Sequence, residues 1–327
     1  MPLVSIILLT KNAEQYLDEV LEGIFQQQCD FSFEVIQIDS GSKDNTLQIA
    51  KNYPVRIVSI PPETYNHGDT RNLGMQESER DSQFSVYLTQ DATPFNEHWL
   101  KNLIQPLLDD SESAGVFSRH VPRKGSSVSP VRQLVQLTQT GSQKRIEKQM
   151  PPSQEEYEEN RIFYVWFSNT SSSIRKEIWK KFPFKKVDFA EDAVWADEVI
   201  QAGYKIIFEP SSVVIHSHDY PLIEQFRQNV DHQRAMYRLF QPKYLRNGRT
   251  WLKQYAGIPL QSWRDYQFTI DSPYFREVGF RRKFRDVVRS PFWYFATISG
   301  GLVGTYFDKF PKSLTRIVSR QERIKLS

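Results

Sequence analysis

Four short apolar runs, separated by stretches of helical pattern, constrain this chain most. VSIILL (4–9), FEVIQID (33–39), VRIVSI (55–60) and FSVYLTQD (84–91) are rich in β-branched and aromatic residues. A near-continuous apolar run is what a strand covered on both faces requires. Between the first two, NAEQYLDEVLEGIFQQ places Leu17, Val20, Leu21, Ile24 and Phe25 at helical spacing. Asn12 with Gln15 three residues on reads as a capping box for that helix. NTLQIAKNY follows the second run and EHWLKNLIQPLL the fourth, both as helices. Alternating strand and helix predicts an α/β fold, a mostly parallel sheet with helices on its faces.

Ligands of such sheets bind beyond the carboxyl ends of the strands. Three runs end in polar clusters, Thr10-Lys11-Asn12, Asp39-Ser40-Gly41-Ser42 and Gln90-Asp91, so these clusters are expected to share one crevice. Asp39 can accept hydrogen bonds from a pyrimidine ring or a ribose, or serve only as a turn residue; Asp44 reads as a helix cap. Asp91 suits a hard divalent cation, Mg²⁺ or Mn²⁺, or an Asx turn before Pro94. Glu191 and Asp192 open a helix in AEDAVWADEV. There they complement the helix dipole, and a positioned carboxylate can act as a general base. His216 and His218, in VVIHSHDY, lie at strand spacing and share a face; each suits a metal or an ordinary hydrogen bond. PPETYNHGDTRNLG (61–74) reads as a turn. Backbone needs explain its Pro, Gly and Asn, but not His67, Asp69 and Arg71 together.

With 327 residues the chain allows one large domain or two, and 39% apolar with 25% charged residues marks a globular protein. A single cysteine, Cys29, excludes an internal disulfide framework and fits a reducing compartment. MPLVSIILLTKN has no basic region before its apolar run and reads as a strand, not a signal peptide. A net charge of +3 makes no case for nucleic acid. Charge is uneven, however: residues 274–327 hold twelve Lys and Arg against four Asp and Glu. Such a segment expects an anionic partner. FRRKFRDVVR (280–289) forms an amphipathic helix on paper. SPFWYFATISGGLVGTYF (290–307) is uncharged and aromatic, yet short for a span and interrupted by Pro291 and two glycines. Together they predict a segment lying on an anionic membrane surface. Residues 123–160 are polar with Gly, Ser and Pro breaks, and read as a mobile excursion with one short helix. A helix, a Gly203 C-cap and two strands are expected across AEDAVWADEVIQAGYKIIFEPSSVVIHSH.

VSIILLTKNAEQYL, IDSGSKDNT, TQDATP and AEDAVWA, in that order, resemble the family 2 inverting glycosyltransferases of the GT-A fold over residues 1–220. YNHGDTRNLG, LTQDATP, FSNTSSSIR, AEDAVWADEVIQAGYKIIFEP and HSHDY are similar to the bacterial rhamnosyltransferase-like branch, whose members build O-antigens and other surface polysaccharides. The resemblance implies a GT-A catalytic domain over 1–235, with a nucleotide half near 1–120 and an acceptor half near 160–235, and a helical C-terminal region over 236–327. It implies that Thr10, Asn12, Asp39 and Gln90 contact the nucleotide and that His67, Gly68, Arg71 and Asn72 line the donor pocket. Arg71 would face the diphosphate, and Asn72 would begin the next helix. Asp91 would hold the metal with His216 or His218. Asp192 would be the general base, with Glu191 beside it. The implied donor is dTDP-L-rhamnose, the acceptor a saccharide or lipid-linked saccharide at the cytoplasmic face of the plasma membrane. Many GT-A enzymes carry Asp-x-Asp where this chain has only Asp91. A UDP- or GDP-hexose donor is the nearest alternative, and a non-catalytic nucleotide-sugar-binding scaffold another. A nucleotidyltransferase would bring a Gly-rich basic loop after the first strand, and LLTKNAEQYL has none.

Overall fold

The computed structural model describes residues 3–242, 245 and 247–324. The chain divides into two compact units, Met1–Val121 with Thr138–His216, and Pro122–Leu137 with Ser217–Ser327.

The first unit is built on nine strands: β1 Val4–Thr10, β2 Phe33–Asp39, β3 Val55–Ser59, β4 Phe84–Thr89, β5 Thr93–Pro94, β6 Ser113–Val121, β7 Ile146–Lys148, β8 Ser171–Arg175 and β9 Lys205–Ile215. Their order is β3-β2-β1-β4-β8-β6-β9-β5, with β7 also on β9. The four expected strands form a parallel block, β3-β2-β1-β4. Beyond it the sheet is mixed, because β8 runs antiparallel to both β4 and β6. The stretch 205–215, expected as two strands, is one strand whose register shifts opposite Ser118 and Arg119.

The apolar runs are buried for the reason their pattern implies. Val4, Ile6, Ile7 and Leu8 are fully buried. Val4, Ile6 and Leu8 pack with Leu17, Val20, Leu21 and Ile24 of the helix Leu17–Phe25, and with Trp99, Leu100, Leu103 and Ile104 of the helix Trp99–Asp109. Each such side chain contributes about 1.5–3 kcal/mol of transfer free energy. Asn12 does not cap the first helix, which follows Tyr16 without a side-chain cap. Asn12 is instead left-handed, φ 51°, and its Oδ1 accepts from the Lys43 N–H at 2.9 Å.

Residues 123–160 differ from the expected excursion. They carry the helix Val128–Arg132, a π-helical turn Gln133–Leu137, β7 and the helix Gln154–Glu159. Lys148 of β7 is buried; its ammonium donates to the carbonyls of Phe163 and Trp166. Hydrophobicity counts alone hide this, because a few buried residues in a polar stretch suffice to fix it.

The second unit is helical: Val128–Arg132, Leu222–Phe240, Gly248–Ala256, Ile258–Asp271, Phe280–Thr305, Lys312–Val318 and Arg320–Ile324. Pro291 does not end the helix Phe280–Thr305 but lies inside it. Gly300 and Gly304 let that helix meet Leu222–Phe240 at backbone distance; a Cβ at either would collide with the carbonyl oxygen of Phe226 or Val230. This packing assigns residues from 217 onward to the second unit, ahead of the boundary expected near 235. Asp265, fully buried, accepts from Ser129, Arg132, Ser290 and Tyr294. One carboxylate thereby joins three segments of the unit.

Candidate active site

The parallel register sets Thr10 opposite Asp39 at the carboxyl ends of β1 and β2. The Thr10 hydroxyl donates to Asp39 Oδ1 at 3.0 Å. Asp39 also accepts from the Ser42 hydroxyl at 2.6 Å and from the Gly41 and Ser42 N–H groups, each at 3.0 Å. Both side chains are buried, and the four bonds fill the carboxylate's lone pairs. Two of the four donors, the Thr10 and Ser42 hydroxyls, can rotate away to admit a base. Asn12 completes this loop pair by donating its N–H to Ser42 Oγ at 2.9 Å. Gln90 clamps the end of β1 from β4, accepting from the Lys11 N–H at 2.8 Å and donating to the Lys11 carbonyl at 3.2 Å.

Asp91 follows Gln90. Two residues later β5 pairs with β9, Thr93 opposite Ile215, and this register brings Asp91 to His216. Their Oδ2 and Nε2 atoms are 3.7 Å apart. The His216 N–H donates to the Val121 carbonyl at 2.9 Å, and the His120 ring lies edge-on to its ring at 5.3 Å. The chain carries His218 to the same place: one ligand atom each from Asp91, His216 and His218 lies within 4.8 Å of the others. One carboxylate and two imidazoles form an O,N,N donor set that fits a divalent first-row cation.

The crowded stretch 61–74 is a helix, not a turn. It begins with a 3₁₀ turn, Pro62–Thr64, and continues as the helix His67–Glu77. Asn66 is its cap, accepting from the Gly68 and Asp69 N–H groups at 3.0 and 3.2 Å. Asn72 therefore does not open the helix. Its amide binds the Phe184 carbonyl and N–H and the Trp179 indole N–H, at 2.8, 3.0 and 2.8 Å, and is committed to that segment. Gly68 is required by packing, since a Cβ there would collide with the Lys185 carbonyl oxygen. His67 Nδ1 meets the Tyr65 hydroxyl at 3.0 Å, and burial lowers its pKa.

Arg71 is held in a buried ion pair. Its Nη1 donates to Glu191 Oε1 at 2.5 Å, with both side chains almost wholly buried. Asn169 also reaches Glu191 Oε1, at 3.4 Å, and gives its N–H to Asp192 Oδ2 at 3.2 Å. Before the pair stands Ala190 with φ 62°, an uncommon conformation for a residue bearing a Cβ, which starts the helix Glu191–Gln201. Burial opposes ionisation of Glu191, but Arg71 and then His67 outweigh it and hold its pKa below the ordinary range. Asp192 moves the other way. Burial first and the Glu191 charge second raise its pKa to about 7. Two adjacent carboxylates with oppositely displaced pKa values are the arrangement that separates a fixed charge from a proton carrier.

The model of the glycosyl transferase family 2 matches residues 5–175. The chain belongs to this family. This family 2 glycosyltransferase has the GT-A fold, which it shares with solved glycosyltransferase structures. A mannosyltransferase from Pyrobaculum calidifontis, solved with GDP-Man and Mn²⁺, superposes with a TM-score of 0.55 at 16% identity, covering 94% of this chain and 88% of that one. Staphylococcus aureus TarS 1–349 superposes with 0.51, covering 94% and 92%. In sequence, the chain is 33% identical over 232 residues to the O-antigen chain rhamnosyltransferase RfbN of Salmonella typhimurium, 70% of each chain. It is 32% identical over 234 residues to WbaN of Salmonella anatum, 71% of each.

The structure of the family 2 glycosyltransferase thus brings Thr10, Asn12, Asp39 and Gln90 together at the carboxyl ends of β1, β2 and β4. It joins Asp91 to His216, and His67 and Arg71 to Glu191. Asn66 and Asn169 were given no role in the sequence reading, and Ser42 entered it only as a member of the polar cluster after the second strand. Only their hydrogen bonds reveal what they hold.

Proposed function

We propose that the protein transfers L-rhamnose from dTDP-L-rhamnose, with inversion, to a hydroxyl of a saccharide or lipid-linked saccharide. One observation carries the mechanism: Asp192 is held with a pKa near neutrality beside a Glu191 that Arg71 keeps charged. In the reaction the acceptor oxygen attacks the anomeric carbon opposite the leaving group. Its proton passes to Asp192, and the carbon–oxygen bond to the diphosphate breaks, releasing the nucleoside diphosphate. A base with a pKa near 7 is ionised often enough to accept that proton at neutral pH. Arg71 acts on the base through Glu191, and the Asn169 N–H, donating to Asp192 Oδ2, fixes where its oxygens point. Asn12 and Asp39, with the Ser42 hydroxyl between them, take the nucleoside.

Asp91, His216 and His218 would hold a divalent cation, and when bound it supplies positive charge to the leaving diphosphate. Likeness to the Salmonella rhamnosyltransferases supports the sugar, and their O-antigen role supports a polysaccharide acceptor. A lipid-linked acceptor places the work at a membrane surface.

Thermal shift and donor hydrolysis across dTDP-L-rhamnose, UDP-hexoses and GDP-hexoses, with and without Mn²⁺, test this reading. The largest stabilisation and turnover are expected with dTDP-L-rhamnose. Preference for a UDP- or GDP-hexose overturns the sugar, and binding of every donor without turnover on any acceptor overturns the chemistry.

A further inference from the structure

The helix Phe280–Thr305 has two apolar faces. One is internal and buries Trp293, Tyr294, Gly300 and Gly304. The other is a stripe spaced by four, four, four and three residues: Phe280, Phe284, Val288, Phe292 and Phe295, all exposed, with Phe280 at 81%, Phe284 at 62% and Phe292 at 60%. The helix Ile258–Asp271 packs against it and exposes its own arc, Leu260, Trp263, Tyr266 and Ile270. Scattered exposed apolar residues are ordinary, whereas a continuous stripe marks a contact surface.

The charge at the start of this helix is equally unusual. The first turn of Phe280–Thr305 carries Arg281, Arg282 and Lys283, no acidic residue and no side-chain cap. Cations at a helix N-terminus oppose its dipole. A cavity of about 740 Å³ lies there, lined by Arg123, Lys124, Arg276 and Arg282, with Glu277 the one acidic lining residue. Arg282 donates from Nη2 to the Gly125 carbonyl, while its Nε, without a hydrogen-bond partner, lies 3.9 Å from Oδ2 of the buried Asp286. Four cations and an opposed dipole facing one cavity are relieved by a bound anion.

A soluble phosphate would account for the cavity but not for the stripe. An apolar protein partner would account for the stripe but not for the charge. A phosphate joined to hydrocarbon accounts for both. We propose that the second unit docks on an anionic lipid surface, its Phe280–Phe295 stripe lying at the boundary of headgroups and acyl chains and its cationic cavity receiving a lipid phosphate. A stripe running along the helix lies in the plane of such a surface, and no helix among the described residues is long and apolar enough to cross a membrane. The proposal deepens the reading of a lipid-linked acceptor and rests on it for that substrate; the docking itself involves no donor.

Flotation of the full chain with phosphatidylcholine vesicles, with and without phosphatidylglycerol, tests it. The protein is expected to float only with the anionic vesicles. Phe284→Ser with Phe292→Ser, both at exposed positions, is expected to weaken binding about tenfold without changing the melting temperature. Lys124→Ala with Arg276→Ala should weaken it about fivefold per charge, while Lys51→Ala with Arg80→Ala, the same charge change in the first unit, leaves it unaltered. Three results overturn the proposal: absence of flotation, equal flotation on neutral vesicles, or release by inorganic pyrophosphate at matched ionic strength, which assigns the cavity to a soluble phosphate. Self-association that the Phe284/Phe292 variant abolishes, with lipid binding intact, likewise assigns the stripe to a second copy. Thermal shift by dTDP in the same variants is expected to stay at the wild-type value; a failure there bears on the donor reading and not on the docking.

Discussion

Arg71 and Glu191 stand 120 residues apart in the chain, yet their side chains meet at 2.5 Å in a buried ion pair. This contact ties the helix His67–Glu77 to the start of the helix that carries Asp192. It also sets the charge against which Asp192 titrates. Glu191→Gln leaves the Arg71 guanidinium buried without its counter-charge, at a cost of about 3–5 kcal/mol, read as a lower urea midpoint.

The same substitution has a kinetic signature. With the Glu191 charge gone, Asp192 loses one of the two causes that raise its pKa. The acidic limb of kcat/KM, expected near pH 7 in the wild type, should move to lower pH in Glu191→Gln. A limb that stays in place removes Asp192 from the role of base.

Asp192→Asn should lower turnover by about 10²–10⁴ while leaving the thermal shift by donor intact. Its effect on stability has the opposite sign. A carboxyl whose folded pKa is raised from 3.8 to about 7 favours the folded state at low pH, and that contribution is lost as pH rises through this window. The variant escapes the loss, so its stability relative to wild type should grow from about pH 4 to about pH 7 and level off above. Calorimetric scans at several pH values measure the difference.

Chelation should abolish turnover. Two imidazoles and one carboxylate favour a borderline cation over a hard one, so Mn²⁺ should restore activity at lower concentration than Mg²⁺. His216→Ala should raise the Mn²⁺ concentration required, read directly by titration calorimetry with Mn²⁺ alone.

Gly68→Ala drives a methyl group into the Lys185 carbonyl, and backbone cannot move aside as a side chain can. A loss of about 1–3 kcal/mol is expected. Unchanged stability would mean that the segment near Lys185 does not pack on this helix as described.

The parallel block was legible because VSIILL and its companions need cover on both faces, and no other element satisfies runs so short and so apolar. The places of Asp91, His216 and Asp192 in the fold were legible because each follows a strand or opens a helix. What escaped was long-range and polar. Nothing near Arg71 in sequence announces Glu191 as its partner, and nothing near Asn72 announces Trp179. The stretch 61–74 was misread as a turn because Pro61, Pro62 and Gly68 are local breakers; capping by Asn66 and packing against Lys185 override them. Pro291 was overrated for the same reason, since the helix Phe280–Thr305 continues through it. The residues between 123 and 160 were underrated because Arg132 and Lys148 look solvated until their buried partners are known.

The Arg132–Asp265 contact carries a practical consequence. The polypeptide enters the second unit at Pro122, leaves it at Leu137 and returns at Ser217. No single scissor cut can release an intact half. A fragment ending near residue 216 keeps Arg132 while discarding Asp265, and a fragment beginning there keeps the carboxylate and discards its guanidinium. Whoever wishes to express either portion alone must graft or excise the 122–137 loop as well, or find the product insoluble.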